Sequence, residues 1–207
     1  MQDFQSIIST PRSAYSEALR FFKGEGMLND ALGRLAADLD SKKIDYVVVG
    51  AIAINQHGFQ RLTVDIDILL SAEGLDRFQS ELVGLGCPAF EGARKKFNIT
   101  RENIPLEIIT SGEYPGDGKP KPVVFPDPRE FTVEIDGVKT ITLEKLIELK
   151  LASGLSAPHR LKDLADVQEL IKVKHLDKAF AEKLDESVRA KFVELAEAVA
   201  AAGDELN

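Results

Sequence analysis

The chain reads as an α+β protein, a mixed β-sheet flanked by helices with a helical C-terminal part, and three observations predict this. Asp45-Tyr46-Val47-Val48-Val49-Gly50 is a β-branched run ended by glycine, the composition of a strand buried on both faces. Val64 to Leu70 is a second strand-like run. From residue 143 onward the apolar residues recur only at helical spacing. Mixed strands and helices followed by helices alone is the α+β order. Residues 1–142 are expected to form an α/β core with N-terminal helices, and 143–207 a helical region packed on it.

Each element has its own signal. Residues 12–42 are helical, with Leu19, Phe21 and Phe22 in one apolar segment, Gly24 and Gly26 interrupting, and Leu28, Leu32, Leu35 and Leu39 recurring at helical spacing. The stretch from Ala51 to His57 is a short helix ended by Gly58. Ser71 caps a helix containing Leu75, Phe78, Leu82 and Leu85, and Gly86 stops it. Short strands are expected over 87–110, the clearest being Ile104 to Thr110. Residues 111–129 hold three glycines and five prolines, the make-up of a long loop and a candidate flap. Asp136-Gly137 joins Phe131–Ile135 to Lys139–Ile141 as a hairpin. Thr142 caps a helix over 143–153, and further helices are expected over 159–173, 176–184 and 186–202.

Composition narrows the function. Apolar residues are 44% and charged residues 29% of 207, a globular mixture. Lysine plus arginine is 26 against 34 aspartate plus glutamate, a net charge of −8, which argues against a protein that coats nucleic acid. With one cysteine, Cys87, neither an intramolecular disulfide nor a multi-thiolate zinc site can form. There is no tryptophan and aromatics are 7%, so a base-stacking platform is not expected. No apolar run reaches the roughly 20 residues of a membrane span, and the N-terminus lacks a secretory pattern, so the expectation is a cytoplasmic protein with no membrane partner.

The chemistry concentrates at Val49-Gly50-Ala51, thirteen further residues, and then Asp65-Ile66-Asp67-Ile68. Strand side chains alternate, so Asp65 and Asp67 share a face while Ile66 and Ile68 face the core. Adjacent carboxylates repel unless a cation sits between them. Mg²⁺ takes one or two carboxylates plus substrate phosphates, so such a pair suits a metal-bound triphosphate. Glu107, alone in the apolar strand Pro105-Leu106-Glu107-Ile108-Ile109, is the candidate third acid.

This ordered set resembles the nucleotidyltransferase superfamily, the fold shared with DNA polymerase beta. The run His57-Gly58-Phe59-Gln60-Arg61-Leu62-Thr63 before Asp65 is similar to that of its minimal and abortive-infection (AbiEii-like) prokaryotic members. Glu148-Leu149-Lys150-Leu151-Ala152 and Arg160-Leu161-Lys162-Asp163-Leu164-Ala165-Asp166 resemble their helical motifs, and the likeness spans roughly residues 30 to 172. It implies a nucleotidyltransferase-like sheet in which Asp65, Asp67 and Glu107 bind Mg²⁺, as one ion or two. Gly50, Ala51, Arg61, Thr63, Lys150 and Lys162 would meet the nucleotide, and Asp163 would act beside it. The implied reaction moves a nucleoside monophosphate from an NTP to a hydroxyl on RNA, protein or a small molecule. The family's glycine motif is Gly-Gly or Gly-Ser, whereas this chain has Gly50-Ala51. That departure keeps a second reading open: a non-catalytic binding module or toxin–antitoxin component with a protein partner or homodimer contact, docking through Phe192, Leu195 and Val199 of the alanine-rich last helix.

Simpler roles stand beside these. Arg61 could neutralise Asp65 or Asp67. Lys162 with Asp166, and Asp163 with Asp166, have the spacing of surface pairs on a helix. His57 suits a helix end. Cys87 suits a buried apolar position. Arg94-Lys95-Lys96, Lys119 and Lys121 suit a solvated face, or a patch that meets RNA or triphosphate.

Overall fold

A computed structural model describes residues 3–204. Three N-terminal helices, α1 (Phe4–Ile8), α2 (Pro11–Phe22) and α3 (Met27–Ser41), precede β1 (Tyr46–Val48). Next come α4 (Gly50–Gln56), β2 (Ile66–Leu70), α5 (Ala72–Glu81), β3 (Lys96–Ile99) and β4 (Ile104–Thr110). A hairpin, β5 (Thr132–Ile135) and β6 (Val138–Ile141), leads into α6 (Leu143–Ser156), α7 (Leu161–Lys174) and α8 (Glu186–Asp204).

The six strands form one mixed sheet in the order β3-β4-β2-β1-β6-β5. Strand β1 is antiparallel to β2 and parallel to β6, while β2 runs parallel to β4. The apolar run at β1 does fill two cores. Tyr46 and Val48 join Ile66, Ile68, Leu106 and Ile108 beneath the N-terminal helices and α5. Val47, Val49 and Leu69 face the other way, onto Leu146, Leu149, Val167 and Phe192 of the C-terminal helices. Those helices therefore share a core with the sheet; the last helix turns Phe192 and Ala196 into that core, with Leu195 and Val199 partly buried against it.

The expected elements are present with several differences. Helix α1 has no counterpart among the expected elements, and α5 ends at Glu81, so Leu82 and Leu85 lie beyond it, Leu85 in a 3₁₀ turn, Val83–Leu85. Strand β2 starts at Ile66, so Asp65 stands one residue before it, at a bend. The 176–184 helix is a 3₁₀ segment, Lys178–Lys183, with Asp177 accepting from the Ala179 N–H as its cap. Ser71 does cap α5, accepting from the Gly74 N–H, but the Thr142 hydroxyl makes no cap bond to α6. Cys87 is only partly buried, at the edge of the first core. Among the described residues no helix is long and apolar enough to cross a membrane.

Candidate functional site

A cleft of about 570 Å³ opens where the sheet meets α6 and α7. It brings together Gly50, Ala51, Arg61, Thr63, Asp65, Asp67, Glu107, Lys150, Lys162 and Asp163, residues spread over more than a hundred positions of sequence.

The acids come from the strands. Alternation in β2 buries Ile66 and Ile68 in the first core and turns Asp67 to the cleft. Parallel pairing sets Asp67 directly opposite Glu107 of β4, so both lie on one face. Asp65 joins them from the bend and accepts a hydrogen bond from the Thr63 hydroxyl, which braces it. Burial first, then the neighbouring charges of Asp65 and Glu107, together raise the Asp67 carboxyl to about 7. Lys150 and Arg61 act against that rise but do not cancel it. Glu107 meets Lys96 of β3 at 3.4 Å, and its side chain is 46% exposed. Among the described residues no three His, Cys, Asp or Glu side chains form a ready-made metal cluster. Asp65 and Asp67 are the pair that could hold a hard cation, with oxygen ligands only.

Gly50 is required beside them. Its φ is +64°, and a Cβ there would lie 2.0 Å from Asp67 Oδ2. Glycine alone permits both the backbone conformation and this approach of β2 to the start of α4. Ala51 follows as a buried methyl in the cleft wall.

The facing wall is cationic and internally paired. Lys150 Nζ donates to Asp163 Oδ1 at 2.7 Å and to Asp166 Oδ2 at 2.8 Å. Asp163 Oδ2 accepts from Ser153 Oγ at 2.6 Å and from Arg160 Nε at 2.9 Å. Burial alone would raise the Asp163 carboxyl; the Lys150 ammonium, aided by Ser153 and Arg160, outweighs it and holds the group below the usual carboxylate range. Arg61 Nη1 donates to Asp166 Oδ2 at 2.9 Å, and its backbone N–H donates to Asn55 Oδ1 of α4 at 2.9 Å.

Three expectations are corrected here. Asp163 and Asp166 are not surface partners; they are 1% and 5% exposed and point inward. Arg61 neutralises Asp166 rather than Asp65 or Asp67. Lys162 is exposed at the cleft rim and does not pair with Asp166. The 111–129 loop is docked at both ends of its cleft-facing stretch. Glu113 pairs with Lys95, and Lys121 donates to the Pro115 carbonyl and, at 3.2 Å, to Ser156 Oγ of α6. Gly116, at φ +77°, lies against α6, where a Cβ would be 2.7 Å from the Ser153 carbonyl oxygen. His57 sits at the end of α4 as expected, and its Nε2 is 2.7 Å from the Ile141 carbonyl oxygen of β6, outside the cleft.

Sequence reasoning names Arg160 and Asp166 only as members of the helical motif that resembles the family's, with no role of their own, and does not single out Asn55 or Ser153. A signal for Asp166 does exist. Asp163, Asp166, Val167 and Leu170 fall at i, i+3, i+4 and i+7, the stripe that faces a core, and all four are buried.

No protein-family model and no curated protein matches the chain. Solved structures do. The solution structure of the antibiotic-resistance factor ANT(2'')-Ia is similar over 85% of this chain and 96% of its own, at 17% identity and a TM-score of 0.50. A crystal structure of ANT(2'')-Ia in complex with adenylyl-2''-tobramycin aligns over 75% of this chain and 91% of its own, at 18% identity and a TM-score of 0.49. An H. pylori protein provisionally named a nucleotidyltransferase aligns over 86% and 95%, at 15% identity and a TM-score of 0.46. At such identities the likeness is one of fold alone, and the ANT(2'')-Ia solution structure, at a TM-score of 0.50, is the one that carries it.

Proposed function

We propose that the cleft binds a divalent cation and a nucleoside triphosphate and transfers the nucleoside monophosphate to a hydroxyl. The observation that carries this reading is the crowding at Asp67. A carboxyl raised to about 7 by burial, Asp65 and Glu107 is an arrangement that a bound cation would relieve. Asp65 and Asp67 would hold Mg²⁺, with Glu107 as the outer third acid; Mg²⁺ fits because it needs only one or two carboxylates and takes its remaining ligands from phosphates and water. The bound metal would supply charge neutralisation at the reacting phosphate.

The rest belongs to the chain. Arg61 and Lys150 supply positive charge across from the acids, and Lys162 supplies it at the rim. Thr63 keeps Asp65 in place. Gly50 lets the backbone come within reach of the acids. An acceptor oxygen forms a bond to the α-phosphorus, the bond from that phosphorus to the bridging oxygen of the β-phosphate breaks, pyrophosphate leaves with the electron pair, and the hydroxyl proton passes to solvent. Positioning and electrostatics supply the catalysis. Asp163, with both oxygens engaged, orients Lys150 instead of taking that proton. The acceptor belongs to the same reading as an RNA end, a protein hydroxyl or a small molecule such as an antibiotic.

Calorimetry with each of four NTPs and Mg²⁺ tests the binding half. The wild type should bind at least one, and Asp65→Asn/Asp67→Asn should lose Mg²⁺-dependent binding by at least a hundredfold; equal binding by the double variant would end this reading. Ala51, in place of the family's second glycine or serine, favours the alternative of a module that binds without turnover. Incubation with labelled NTPs and cell lysate separates the two, since Asp65-dependent labelling of any acceptor excludes the non-catalytic form.

A further inference from the structure

We infer that Asp166 is a positioning residue for the triphosphate: from behind the cleft it aims Arg61 and Lys150 at the same phosphates. The inference rests on the nucleotidyl-transfer reading and deepens it. One oxygen, Asp166 Oδ2, accepts from Lys150 Nζ at 2.8 Å and from Arg61 Nη1 at 2.9 Å. These two cations reach it from different parts of the chain, Lys150 from α6 and Arg61 from the segment between α4 and the acid strand. Both line the cleft, whereas Asp166 is 5% exposed and does not. A carboxylate buried behind two cations cannot touch substrate, but it fixes where each cation ends.

The local charges support the role. Arg61, Lys150 and Arg160 face Asp163 and Asp166, leaving one net positive charge on this wall. Asp163 alone could hold Lys150, since it already accepts from it at 2.7 Å. What Asp163 does not hold is Arg61, whose backbone is tied to Asn55 and whose side chain depends on Asp166 for direction. An arginine side chain left free would retain its charge and lose its aim, and fixed forks bind phosphate better than mobile ones.

The distinguishing probe is inorganic tripolyphosphate, which presents the phosphates without base or sugar. Positioning and bare charge predict opposite signs. Asp166→Asn removes a negative charge next to two cations, so charge alone would tighten anion binding. The positioning role predicts that Asp166→Asn weakens tripolyphosphate at least tenfold in calorimetry. It also predicts that Arg61→Ala adds little further loss in the Asp166→Asn background, although alone it costs at least tenfold. Asp166→Glu keeps the charge on a longer arm and should retain the fold while binding at least threefold more weakly; this variant carries the test if Asp166→Asn does not fold. Unchanged or tighter binding by the folded variants, or full additivity with Arg61→Ala, overturns the inference and leaves the nucleotidyl-transfer reading standing. A wild type that binds neither tripolyphosphate nor any NTP overturns both.

Discussion

On the sheet side of the cleft, Asp65, Asp67 and Glu107 converge, and among the described residues the one ion pair any of them makes is that of Glu107 with Lys96 at the outer edge. On the helix side, Lys150, Arg61 and Arg160 are each answered by Asp163 or Asp166, two buried carboxylates. The first wall is electrostatically open and needs something from outside; the second is complete before anything binds. A complete network costs nothing to reorganise when charge arrives. An open one makes occupancy by a cation favourable, because the repulsion it relieves is already present in the fold. Removing a charge should therefore have opposite consequences on the two walls.

The largest effect is expected on the closed wall. Lys150→Ala leaves Asp163, 1% exposed, and Asp166 without their shared ammonium. Deleting one partner of a buried pair costs about 3–5 kcal/mol when the remaining charge is left alone; here Arg160 and Arg61 still pair with the two carboxylates, so the expected loss is about 2–3 kcal/mol. Thermal or urea unfolding should show a loss of that size. A loss below about 1 kcal/mol would mean that the network is looser than its distances indicate.

The open wall should behave the other way. In metal-free protein Asp67 has a folded-state pKa of about 7 against an ordinary value of 3.8. A carboxyl raised on folding favours the native state fully below the ordinary value, and that contribution is lost as pH rises through the folded value. Metal-free wild type should thus lose stability between pH 4 and 7, with a slope of at most about 1.4 kcal/mol per pH unit before solvent screening. Asp67→Asn removes the titration, so its stability should be flatter over that range and should exceed wild type by on the order of 1–3 kcal/mol at pH 8. Added Mg²⁺ should narrow the difference by stabilising wild type alone. Denaturant melts at pH 4, 6 and 8, with and without Mg²⁺, check all three.

The two walls are also unequally legible in the sequence. Asp65 and Asp67 stand two apart among isoleucines, and strand alternation alone puts them on one face. Glu107 stands out because it breaks an apolar run. The closed wall is built from long-range contacts: Arg61 and Asp166 are 105 positions apart, and no local period connects them. Asp166 also has a plausible surface partner four residues away in Lys162, so the pair rule for exposed helices competes with the buried stripe through Val167 and Leu170, and in the fold the stripe prevails. The apolar pattern starts β2 too early because Val64 is apolar yet 49% exposed. The 3₁₀ segment at Lys178–Lys183 resembles an α-helix in sequence because both carry apolar residues at short intervals.

Glu107 gives the smallest predicted effect and the sharpest boundary to the open wall. It lies in register with Asp67, which argues for a shared ion, yet its side chain is 46% exposed and leans on a Lys96 that is 60% exposed. Exposed pairs contribute about 0–1 kcal/mol, so Glu107→Gln should leave unfolding stability within roughly 0.5 kcal/mol of wild type. Its cost should appear in binding, as a roughly tenfold loss of Mg²⁺-dependent NTP affinity, the size expected of a group that orients or supplements the ligands. Lys96→Ala should act oppositely and tighten Mg²⁺ by freeing Glu107 from its partner. If Glu107→Gln instead matches the hundredfold loss of the double aspartate variant, Glu107 is a full ligand and the open wall is a triad. If neither variant moves Mg²⁺ affinity, the metal site ends at Asp65 and Asp67, and the carboxylate opposite them serves only to raise Asp67.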